Sequence, residues 1–137
     1  MFETIATQVY AHMIGDYAFQ SGWMANNKTR RSIPAFAHAL TYGLVFFAIL
    51  SLSHQPPSLT AMIVIVGTHF GIDRWRLARF VAFAKEFLAP VRAWPLWHDH
   101  ADTGYHKNTP PFLAVWLMII IDNMLHISIN AIALVYL

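Results

Sequence analysis

Residues 34–53 read PAFAHALTYGLVFFAILSLS, with no Lys, Arg, Asp or Glu among them. A helix rises about 1.5 Å per residue, so this stretch is about 30 Å long, the thickness of a bilayer's hydrocarbon core. One imidazole, His38, stands inside it, with Tyr42 one turn later. The stretch therefore raises two questions: whether the rest of the chain is built for a membrane, and what a histidine does there.

The composition answers the first. The chain has 137 residues, 57% hydrophobic and 12% charged, about half the charged share of an ordinary soluble protein. Its length predicts a single domain over residues 1–137. Three further segments are apolar at membrane length, about 2–20, 58–74 and 110–137. The breaks between them are polar or proline-bearing: SGWMANNKTRRSIP, SHQPPS, and a Pro-, His- and Asp-rich loop over about 90–110. The fold expected is an all-α integral membrane bundle of four transmembrane helices. An added interfacial helix is expected after the third, over about 75–88. There Leu77, Phe80, Val81, Ala84, Phe87 and Leu88 recur at helical spacing, with Arg74, Arg79, Lys85 and Glu86 largely to the other side.

The basic residues set the topology. Lys28, Arg30 and Arg31 lie in the first connection. Arg74, Arg76, Arg79, Lys85, Arg92 and Lys107 follow the third segment, and the second connection has none. The positive-inside rule puts the first and third connections in the cytoplasm and both termini outside it, in a cell inner membrane. This accounts for a pI near 9.2 without a nucleic-acid partner; the partner expected is the lipid bilayer. Four short helices enclose little interior, which favours a homo-oligomer. With no cysteine, disulfides and thiolate metal sites are excluded. MFETIATQVYAHMIG has no basic leader and is interrupted by Gln8 and His12, so it reads as mature protein rather than as a signal peptide.

The second question widens along the chain. AHMIGDYAFQ, residues 11–20, carries His12, Asp16 and Gln20 at four-residue steps, continuing the row from Thr4 and Gln8. THFGIDRW adds His69 and Asp73. IIIDNMLHISIN adds Asp122 and His126, with Asn130 one turn on. Each His–Asp pair stands at i, i+4 and shares a helix face. Most of these groups fall in the cytoplasmic half of the bilayer. A carboxylate at the bilayer centre costs roughly 2.5–3.5 kcal/mol, so three of them call for inward-facing cations, histidines or a metal. One pair alone is ordinarily a hydrogen bond between helices. Three pairs and His38 at matched depth point instead to a shared polar centre. His12, Asp16, His38, His69, Asp73, Asp122 and His126 are its expected ligands, and Asp16, Asp73 and Asp122 its candidate catalytic carboxylates. Such N/O donors suit a divalent zinc, iron or manganese; a proton relay uses the same groups.

The motif His12-x-x-Gly15-Asp16-Tyr17-x-x-Gln20, then Lys28, His38, His69-x-x-x-Asp73 and Asp122-Asn123-x-x-His126 resembles the family called domain of unknown function 3307. The family carries Gln where Asn123 stands. The resemblance implies a small bacterial or phage integral membrane protein. A weaker likeness, to membrane-bound metal-dependent hydrolases, is analogy and transfers no reaction by itself.

His98, His100 and His106 with Asp99 and Asp102 lie in the 90–110 loop. Their spacing fits no zinc pattern, so a solvated loop is expected, with Trp94 and Trp97 at headgroup level. Two functions remain open. One is a metal-dependent hydrolase acting on a lipid-linked or membrane-delivered substrate. The other is a non-enzymatic membrane subunit, ion-binding protein or phage-encoded envelope modulator, whose His/Asp pairs fix helix packing or partner binding.

Overall fold

A computed structural model describes residues 2–137, with Phe2 described by its backbone alone. The chain is all-α, with no strand among the described residues. Helix α1 (Phe2–Met13) runs into a π-helical turn (Ile14–Ala18). Short α2 is Gly22–Asn27, α3 is Ser32–Leu52 and α4 is Leu59–Trp75. Then come α5 (Ala78–Lys85), α6 (Trp97–His100) and α7 (Pro111–Tyr136).

Two of these helices, α3 and α7, are long and apolar enough to cross a membrane. Only 11% of the most apolar stretch of α7 is buried. Phe112, Val115, Trp116, Ile120, Met124, Ile132 and Val135 are all exposed along it. An exposed apolar helix of this length is compatible with a membrane protein. Helix α4 has 17 residues and ends in Asp73, Arg74 and Trp75.

The chain forms two compact units. One comprises the residues up to Trp75 together with His126–Leu137; the other comprises Arg76–Leu125. In the first unit α3 is central. Ala35, His38, Ala39, Tyr42, Phe46 and Leu50 are buried along it at helical spacing. Against them lie Ala11 of α1, Ala61 and Ile65 of α4 and Ala133 of α7. Small side chains here let the backbones approach closely, as in membrane helix packing. α3 and α4 approach closely at Gly43: a Cβ on it would lie 2.5 Å from Val66 Cγ2.

Two local features of the first unit differ from the sequence expectation. The first segment is not one α-helix over 2–20. It becomes a π turn at Ile14, with Phe19 N donating to Ile14 O at 3.2 Å. Gln20 falls beyond the helical turn, so the polar row ends at Asp16. Within SGWMANNKTRRSIP a further helix forms, α2, because Ser21 caps it: Met24 N donates to Ser21 Oγ at 3.3 Å.

In the second unit, α5 buries Ala78 and Ala82. Leu77, Phe80, Val81, Phe87 and Leu88 are exposed. The 90–110 segment folds back onto α5 instead of lying free in solvent. Trp97 stacks on Phe80 (5.1 Å, 8°) and meets Phe83 edge-on (5.0 Å). Arg79 Nη1 donates to Ala101 O at 3.1 Å. Gly104 is required at this contact. Its φ is +82°, and a Cβ there would meet Arg79 O at 2.1 Å and Ala82 Cβ at 2.5 Å.

Candidate metal centre

Three elements of the first unit deliver the polar groups. The π turn carries Asp16, α3 carries His38, and the last turns of α4 carry His69 and Asp73. Asp16 and Asp73 are 5% exposed, His38 and His69 0% and 1%, so none of their heads is left to bulk water. A π turn re-aims side chains relative to the α-helix before it. Here Gly15 makes that possible, lying against the Tyr42 ring with no room for a Cβ.

The four side chains converge on one point. His38 Nε2 lies 2.9 Å from Asp16 Oδ1, 3.1 Å from Asp73 Oδ2 and 3.0 Å from His69 Nε2. His69 Nε2 lies 3.2 Å from Asp73 Oδ2 and 3.5 Å from Asp16 Oδ1. One N–H per imidazole cannot serve all these neighbours. A tetrahedral ion with bonds of 2.0–2.1 Å has ligand–ligand edges of about 3.3 Å, and the five observed edges bracket that value. The donor atoms of Asp16, His38, His69 and Asp73 could hold a metal ion.

The charge balance points the same way. Lys28 reaches in from the end of α2, 2.9 Å from Asp73 Oδ2, 3.2 Å from His38 Nε2 and 3.9 Å from Asp16 Oδ1. Two buried carboxylates face one ammonium, leaving one negative charge for a metal or a proton to meet. Sequence reasoning did not place Lys28 in the site. It appears in the family motif, but the positive-inside rule already accounted for a lysine in that connection.

Each carboxylate turns its second oxygen to an outer histidine. His12 Nε2 lies 3.7 Å from Asp16 Oδ2, and His126 Nε2 lies 3.9 Å from Asp73 Oδ1. His12 and His126 thus stand behind the carboxylates, outside the four-donor group. Asn130 Nδ2 donates to Tyr42 Oη at 2.7 Å, and Tyr42 Oη lies 3.2 Å from His12 Nδ1.

The His38 and His69 rings are held differently from most metal-bound histidines, whose other nitrogen donates to a carboxylate or carbonyl. Nδ1 of both is buried without a hydrogen-bond partner among the described residues. Packing fixes the His69 ring instead: Tyr42 stacks on it at 3.8 Å with 11° between planes.

Asp122 is half-buried in the second unit, one turn before His126 on α7. The loop histidines divide. His98 and His106 are exposed, and His98 Nε2 lies 3.1 Å from Asp99 Oδ2. His100 is buried, with Nδ1 2.8 Å from Leu96 O and its ring against Phe83. Lys107 Nζ pairs with Asp99 at 2.7 Å and holds that carboxyl below its ordinary range.

Comparison with curated proteins and with solved structures finds no match. A family model described as "Protein of unknown function (DUF3307)" matches residues 5–137, a span that contains every residue of the centre. The chain belongs to the DUF3307 family.

Proposed function

We propose that this chain is a multi-pass inner-membrane protein that binds one divalent metal ion at Asp16, His38, His69 and Asp73 and acts as a hydrolase on a lipid-linked or membrane-delivered substrate. The observation that carries this reading is the convergence of two imidazole nitrogens and two carboxylate oxygens at the edge lengths of a metal polyhedron.

In this reading α1 and α4 join α3 and α7 as spanning helices, with both termini outside the cytoplasm. The uncovered apolar surfaces of α3 and α7 support a bilayer as surroundings, and the exposed apolar face of α5 suits a helix on the headgroups. Zinc, iron or manganese fits the donor set. Such an ion, when bound, supplies Lewis acidity and an activated water. The chain's own part is to hold the donors in place. His12 and His126 orient the carboxylates, Tyr42 holds the His69 ring, and Lys28 offsets charge and can position an anionic substrate group.

Purified protein incubated with a lipid extract tests the reading. A chelator-sensitive, water-soluble product that disappears with Asp73→Asn is expected. Product formation unchanged by both chelator and substitution contradicts it.

A second reading is favoured by Lys28, whose ammonium sits within hydrogen-bond distance of His38 and Asp73. There the cluster is a proton-bearing ion-pair network that fixes helix packing in a non-enzymatic membrane component.

A further inference from the structure

A basic cavity of about 410 Å³ opens at the start of α3. Arg30, Arg31 and Arg74 line it, with Ser32 and Trp23, and no carboxylate is among its lining residues. Arg74 is pinned there: its Nη1 donates to Thr29 O at 3.0 Å and its Nε to Ser32 Oγ at 3.3 Å. Arg30 and Arg31 are exposed and Trp23 is half-exposed. Three guanidinium groups without a carboxylate make a site for a phosphate, which they can meet with paired N–H donors. Positive-inside topology explains basic residues near this end of the helices. It does not explain an open basic cavity in which one arginine is held in position.

The same pair of helices carries an apolar groove of about 380 Å³, lined by Leu40, Leu44 and Phe47 of α3 and Leu59, Met62 and Val66 of α4. Ile33, Phe36, Leu40, Leu44 and Phe47 are exposed at helical spacing on α3, so cavity and groove follow one face. Between them Phe36 and Phe70 meet edge-on at 6.5 Å. From Ser32 to Leu40 the helix rises about 12 Å. A phosphate at one end and a hydrocarbon chain along the other is the chemistry of a membrane lipid.

We infer that the α3/α4 face binds one net-anionic phospholipid, its phosphate among Arg30, Arg31 and Arg74 and its chain along the Leu40–Leu44–Phe47 groove. The inference rests on the membrane reading and not on the metal. If the hydrolase reading holds as well, it names the substrate class.

Native mass spectrometry of the full chain in detergent tests it, with phosphatidic acid and phosphatidylcholine of identical acyl chains as probes. Phosphatidic acid is expected to be retained about tenfold or more over phosphatidylcholine, the scale of one or two charge-assisted hydrogen bonds. Arg30→Gln/Arg31→Gln should remove that preference. Lys85→Gln/Arg92→Gln, which removes the same charge elsewhere, should keep it. Leu44→Trp, which fills the groove without touching the arginines, should weaken retention even if the arginine variant fails to fold. Equal retention of both lipids overturns the inference. So does a preference that survives Arg30→Gln/Arg31→Gln, retention unchanged by Leu44→Trp, or displacement of the lipid by millimolar inorganic phosphate as readily as by phosphatidic acid. Metal content measured on the same samples separates failure of this site from failure of the metal centre.

Discussion

The Nε2 atoms of His38 and His69 face each other at 3.0 Å, buried, each also within 3.5 Å of both Asp16 and Asp73. Two imidazole nitrogens turned to one point with two carboxylates could hold a metal ion, and in the proposed centre the outer histidines rank below these donors. His12→Ala removes a group behind Asp16, so metal affinity should fall about 10–100-fold without vanishing. His69→Ala removes a donor and should abolish stoichiometric binding. Isothermal titration with zinc compares the two; equal effects contradict the ranking.

Lys28 separates the metal from the ion-pair reading. In the ion-pair network Lys28→Met leaves buried carboxylates uncompensated, a loss of about 3–5 kcal/mol. With a divalent ion in place the same change costs less than that, and metal binding is retained or strengthened. Thermal unfolding in detergent, with and without zinc, gives the answer: a large destabilisation that zinc does not reverse contradicts the metal reading.

Gly15 should be intolerant of a side chain. A Cβ there would lie 2.8 Å from Tyr42 Cδ2, and Tyr42 is fully buried, stacked on His69 and bonded to Asn130. Gly15→Ala is expected to destabilise by about 1–3 kcal/mol through overpacking. Gly22→Ala meets nothing within 4 Å and should be neutral. Denaturant titration of both variants checks the contrast.

Tyr42→Phe keeps the stack on His69 and deletes the hydroxyl between Asn130 and His12. It leaves buried polar groups short of a partner, at about 1–3 kcal/mol. A Tyr42→Phe protein as stable as wild type contradicts a stabilising role for the Asn130–Tyr42–His12 contacts.

Much of this was legible in the sequence, and the remainder has physical reasons. Apolar runs located α3, α4 and α7 to within a few residues, because a long run almost free of charge has to be buried in protein or lipid along its whole length. The i, i+4 step brought out His69 with Asp73, since both sit on a regular α-helix. The π turn left no such mark: IGDYA reads as ordinary helix, and the packing of Gly15 on Tyr42 is a contact distant in sequence. Lys28 was hidden because membrane topology already accounted for its charge. The fold-back of the 90–110 segment depends on Gly104 meeting α5 and on Trp97 reaching Phe80 and Phe83, contacts distant in sequence.

Elemental analysis of detergent-purified, folded protein tests the central claim most directly. About one zinc, iron or manganese ion per chain is predicted for wild type, with none in His38→Ala or His69→Ala at unchanged folding. Folded wild type that takes up no stoichiometric metal when supplied with these ions contradicts the account.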